Sequence, residues 1–109
     1  MAYYLVHAQP KPECLQELGS ALAQNAFVHL RPFGKALTFS LRNARQQADG
    51  MAVWEEEDYC TPPLAEERAA VLDKYFDDIR VQAVSRGEGW KRIQKLAPLF
   101  PELVNQAVQ

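Results

Sequence analysis

The chain has 109 residues, enough for one domain with its own core and too few for two. Its 48% hydrophobic and 24% charged residues are the balance of a folded globular domain and exclude a disordered one. A net charge of −2 with scattered basic residues argues against a general nucleic-acid binder, and no apolar run approaches the ~18 residues of a membrane helix.

Tyr3 to Ala8 is a β-prone apolar run bounded by Gln9-Pro10-Lys11-Pro12 and reads as the first strand. The residues before it carry no charged leader and no cleavage site, which points to a cytoplasmic location. From Glu13 to about Asn25, Leu15, Leu18 and Leu22 repeat with helical spacing, and Pro12 suits the first turn. Phe27 to Gly34 is β-prone but interrupted by Pro32 and Gly34, and reads as either a short strand or a loop. Leu37, Phe39 and Leu41 then alternate with Thr38, Ser40 and Arg42, which predicts a half-buried strand. Arg45 to Gly50 is the turn, closed by Asp49-Gly50, and Met51 to about Tyr59 is the returning strand.

Thr61-Pro62-Pro63 opens the second helix, with Thr61 as its cap and Leu64, Val71 and Tyr75 on its inner stripe. Asp77-Asp78 ends it, and Ile79 to Val84 alternates as the last strand. Ser85-Arg86-Gly87-Glu88 matches a capping box and starts a third helix with Trp90, Ile93 and Leu96 inward. Pro98 and Pro101 break that helix before a short amphipathic end.

This order predicts one α+β domain spanning 1–109. Residues 1–84 form a βαββαβ sandwich with an antiparallel sheet, and 85–109 form a helical tail. Such a sheet has helices on one face, so a second subunit, the tail or a ligand must cover the other. Tyr3, Leu5 and Trp54 on a bare face would expose more apolar surface than monomers usually tolerate, which predicts a homodimer; the tail is the rival cover.

Alternation places Tyr3, Leu5, His7, Thr38, Ser40, Arg42, Arg80 and Gln82 on that second face, a mixture suited to a cavity for a small anionic or oxygenated organic molecule. His7 is the candidate for proton transfer, or simply bonds a neighbour. Arg42 either binds an anion or bridges to Glu56 or Asp58 across the hairpin. Arg80 joins the polar end of such a site, Tyr3 and Trp54 are candidate walls, and Glu56 is the acid placed to join them. The run Glu55-Glu56-Glu57-Asp58 reads as a solvated strand end or as the lining of a polar cavity.

Neither Cys14 nor Cys60 sits in a CxxC, and both read as reduced thiols. Cys60, just before the proline-capped helix, is placed either for a lowered thiol pKa or for inert burial. With His7 and His29 these cysteines share no ligand spacing, so no metal is assigned. Gly87 and Gly89 lack the strand and helix context of a phosphate loop, and no nucleophile elbow or HExxH occurs, so no cofactor is expected.

The element order, the Tyr3–His7 opening strand and the Phe39–Arg42/Met51–Trp54 hairpin resemble the dimeric α+β barrel superfamily, which has a ferredoxin-like fold and includes small cofactor-free monooxygenases and muconolactone-isomerase-like proteins. The resemblance extends to about Val84 and implies two sheets packed face to face around a ligand cavity. It carries over no catalytic residue. Two functions stand: a cofactor-independent enzyme or small-molecule binder using that cavity, and a structural or regulatory protein whose sheet serves only for association. An RNA-binding sheet ranks last, because the paired strand aromatics of RNA-recognition motifs are missing.

Overall fold

The computed structural model describes residues 2–104. Its strands are β1 (Ala2–Pro10), β2 (Arg45–Gln46), β3 (Ala52–Asp58), β4 (Phe76–Val84) and β5 (Ala97–Pro98). They form one antiparallel open sheet in the order β4-β1-β3-β2-β5. The helices are α1 (Leu15–Ala23), α2 (Gly34–Arg42), α3 (Ala65–Glu67), α4 (Asp73–Tyr75), α5 (Glu88–Ile93) and α6 (Pro101–Val104). A π turn over Arg68–Leu72 joins α3 to α4, making one continuous helix over 65–75. Among the described residues no helix is long and apolar enough to cross a membrane.

The two sheet faces follow from strand alternation. Val6, Ala8, Ala52 and Trp54 point to the main core, where they meet Leu18 and Leu22 of α1, Leu37 and Leu41 of α2, and Val71 and Leu72. The residues between them, Leu5 and Val53, form a second cluster with Ile93 of α5, flanked by Trp90 and Leu96. The tail therefore covers the β1–β3 part of the second face and leaves Arg80 and Gln82 of β4 exposed. Leu5 is buried beneath it and Trp54 lies fully buried on the opposite side of the sheet, so neither contributes to the bare apolar face from which a homodimer is expected.

The largest departure from the sequence reading is Leu37 to Arg42, expected as a strand and found inside α2. Gly34, Leu37, Thr38 and Leu41 are all buried, the i, i+3, i+4, i+7 pattern of a helix face. A window from 37 to 41 fits both periods, because Leu37 and Leu41 coincide in each. Phe39 separates them: a strand would bury it with the leucines, and it is 52% exposed. The second strand shrinks to Arg45–Gln46, which the sequence reads as turn; it pairs with Val53 and Ala52 of β3 on one side and with Pro98 and Ala97 of β5 on the other. Beyond that point α2 takes its place, with Ser40 Oγ donating to the Glu55 carbonyl at 2.8 Å.

Other boundaries move for local reasons. Residues 27–33 are turns, not a strand. The second helix starts at Ala65 and takes no cap from Thr61. Asp58 organises its approach instead: its Oδ1 accepts from Cys60 N–H at 3.1 Å and its Oδ2 from Leu64 N–H at 2.6 Å. That helix ends at Tyr75, and β4 begins three residues before the expected Ile79. The capping box is half realised, with Glu88 Oε1 accepting from Ser85 N–H at 2.8 Å. Residues 105–109 of the expected tail lie outside the described residues.

Candidate functional site

The acidic run on β3 divides between the two faces. Glu55, Glu56 and Asp58 are all buried, so the solvated strand end is not what forms. On the tail side, Glu55 is fully engaged. Its Oε1 accepts from the N–H groups of Gly89 at 2.7 Å and Trp90 at 3.3 Å, and its Oε2 from Gly87 at 2.8 Å. Those amides would otherwise lack partners at the start of α5. Gly89 permits the approach, since a Cβ there would sit 2.9 Å from Glu55 Oε1. Glu55 thus pins the tail onto the sheet.

Beside that anchor lies a cleft of about 300 Å³ between α2 and α5. Its walls are Phe39 and Trp90, whose rings meet edge to face at 6.2 Å. Tyr3 and Glu57 lie on the sheet side, and Arg86 adds a guanidinium. Glu57 is held between two phenols: Tyr3 donates to its Oε2 at 3.3 Å and Tyr59 to its Oε1 at 2.9 Å. The carboxylate acceptor holds the Tyr59 hydroxyl proton and raises that group above the usual phenol range. Phe39 and Trp90 also border a hollow of about 290 Å³ on their far side, lined by Arg45 and Lys91.

On the opposite face, Glu56 and Asp58 meet Glu67 and Cys60. Glu56 Oε1 accepts from Trp54 Nε1 at 3.0 Å, while its Oε2 is buried with no hydrogen-bond partner. Burial raises Glu56 well above the carboxylate range, and the charge of Glu67 adds to the rise. Burial likewise pushes Glu67 up to about 7, against the pull of its own backbone N–H and with help from the charge of Asp58. Cys60 is drawn down by a backbone hydrogen bond at Glu66, but desolvation and the carboxylates of Asp58 and Glu67 outweigh it and push the thiol up to about 11. The start of the helix at Ala65–Glu67 thus does pull the thiol down, as the sequence allowed, but burial and the neighbouring carboxylates overcome it.

The six expected site residues do not converge. Tyr3, His7 and Arg80 share one sheet face, with His7 paired in register to Arg80. Tyr3 lines the cleft; His7 lies four residues away along β1, about 13 Å. Arg80 is exposed and bridges to Asp78 at 3.0 Å. Trp54 and Glu56 occupy the other face. Arg42 closes α1: its Nε and Nη2 donate to the Leu22 carbonyl at 3.2 and 2.7 Å, and Nη2 reaches Asn25 Oδ1 at 2.6 Å. Neither Glu56 nor Asp58 is its partner.

The sequence reading missed Phe39, Arg86 and Trp90 as cleft residues and Glu67 as a buried acid. The buried Glu67 carried a usable signal: it lies one helical turn before Val71, on the inner stripe. Phe39 was lost with the strand assignment. No family model, curated protein or solved structure matches this chain.

Proposed function

We propose that the protein binds a small organic molecule, flat and apolar in one part and anionic or oxygenated in another, in the cleft between α2 and α5. The observation that carries this reading is Phe39, half exposed yet ordered edge to face against Trp90 in the wall of a cleft of about 300 Å³. That volume is at the small end of ligand pockets, and aromatic walls with a few polar groups are their usual lining. Among the described residues Arg86 has no ion-pair partner, so its guanidinium is available to a carboxylate or phosphate. Glu57, across the cleft, repels the same group and orients the ligand with its anionic end towards Arg86.

Binding rather than catalysis is the reading, since His7 stands about 13 Å from the Tyr3 wall along β1. The element order supports taking the sheet as a ferredoxin-like variant akin to the dimeric α+β barrels, with α2 replacing most of the second strand. In this variant α5 occupies the face that a second subunit would cover, so the ligand cleft belongs to one chain and a homodimer would need another surface.

A thermal-shift screen of small aromatic carboxylates and phosphates tests the proposal on wild type, Arg86→Ala and Arg42→Ala. A true ligand loses tenfold or more in affinity in Arg86→Ala, because a charge-assisted bond is worth roughly 1.5–3 kcal/mol. It keeps its shift in Arg42→Ala, where only the α1 cap is lost. Equal shifts in wild type and Arg86→Ala would end this reading.

A further inference from the structure

We propose that the hollow on the far side of Phe39 and Trp90 is a second anion subsite, so that the ligand carries two carboxylate or phosphate groups separated by a flat apolar body. This rests on the reading of the α2–α5 cleft as a ligand site and names the class of its ligand. Phe39 and Trp90 line both the cleft of about 300 Å³ and the hollow of about 290 Å³, so one aromatic pair is the partition between two cavities of nearly equal size. Phe39 is 52% exposed, which leaves that partition uncovered. A flat ligand can therefore lie across the ring pair with one end in each cavity, in the stacked or edge-on contact that aromatic groups favour.

The two cavities differ in charge. In the cleft, Arg86 shares the lining with Glu57, so a second anionic group there would meet a carboxylate. The far hollow is lined by Arg45, Lys91, Asn43 and Gln94 and by no acidic residue. That is a local excess of positive charge in a chain whose net charge is −2. Lys11, Arg68, Lys74, Arg80 and Arg92 each have a carboxylate partner, whereas among the described residues Arg45, Arg86 and Lys91 have none. Arg45 is nevertheless held in place. Its Nη1 donates to the Leu96 carbonyl at 2.7 Å, which ties the guanidinium to the chain that follows α5. A carbonyl fixes the group without neutralising it and leaves its other N–H groups for an anion. A guanidinium fixed in advance loses less freedom on binding than a free one, and the exposed Lys91 adds a second charge on a flexible stem.

The test is isothermal titration calorimetry of the full chain at low ionic strength with two rigid diacids, naphthalene-2,6-dicarboxylate and biphenyl-4,4′-dicarboxylate, each beside its monocarboxylate. At least one diacid is expected to bind about tenfold more tightly than its monoacid, the gain from a second charged hydrogen bond. Lys91→Gln removes most of that gain and leaves the monoacid unchanged, while Arg86→Ala weakens both. Lys91 is exposed, so its replacement leaves the fold intact. Lys95→Gln, which removes a cation lining neither cavity, changes nothing. Diacids that gain nothing over their monoacids overturn the second subsite, as does a gain that survives Lys91→Gln or falls equally in Lys95→Gln. If the monoacids still bind and are weakened by Arg86→Ala, the cleft reading stands without it. No binding of any of the four probes ends both.

Discussion

Asp58 Oδ2 accepts the backbone N–H of Leu64 at 2.6 Å, and Leu64 holds a φ of +62°, left-handed backbone that a branched side chain rarely adopts. The bond spans the loop from β3 to the helix over 65–75 and sets where Cys60 and Glu67 stand relative to the strand. Asp58→Asn leaves one of its two N–H donors facing an amide instead of a carboxylate oxygen. It should destabilise the protein by roughly 1.5–3 kcal/mol in urea denaturation, the scale of one lost charged hydrogen bond. An unchanged midpoint would mean the loop holds itself.

The buried carboxyls give the protein an inverted pH dependence. Glu67 titrates near 7 when folded and near 4.5 when unfolded, so between these values the folded state binds more protons. Stability therefore falls as pH rises through that window, and the raised Glu56 adds to the fall in the same direction. The melting temperature should drop from pH 5 to pH 8. Glu67→Gln should flatten the slope, and a profile rising over this range in wild type would contradict the burial of these acids.

Glu55 ties the fold to the cleft. Glu55→Ala removes the acceptor for Gly87, Gly89 and Trp90 and leaves the start of α5 without partners. A loss of about 1.5–3 kcal/mol is expected, with faster hydrogen exchange at those three amides and loss of ligand binding through the freed Trp90 wall. Exchange that stays slow there would show that Ile93 packing alone holds α5 in place.

How much of this was legible in the sequence depends on how local each signal was. β1, β3 and the capping box at Ser85 were readable because alternation and cap chemistry act within a few residues. The Leu37–Leu41 stretch was not, since five residues fit either period and only burial of Gly34 and exposure of Phe39 decide between them. Glu56 sharing the face of Trp54 followed from strand parity. Its approach to Glu67, and Arg42 turning to α1 instead of the sheet, depend on how α1, α2 and the helix over 65–75 pack, which no spacing rule encodes.

Gly34 is a second place where packing overrules composition. A Cβ there would stand 2.3 Å from the Phe27 carbonyl oxygen and 2.8 Å from that of Val28, both backbone. Neither can rotate away. Gly34→Ala should cost about 1–3 kcal/mol or more, read as a lowered denaturation midpoint, despite the better helix propensity of alanine. A stabilised variant would mean that α2 does not approach the 27–28 turn this closely.

The central claim, a ligand cleft between α2 and α5, is tested most directly by amide NMR of the ¹⁵N-labelled chain during titration with the best ligand from the thermal-shift screen. The account predicts saturable shifts at Tyr3, Glu57, Gly87, the Trp90 amide and the Trp90 indole N–H, with His7 and Arg42 unmoved. Shifts centred on His7 and Arg80, or none at Trp90, would contradict it.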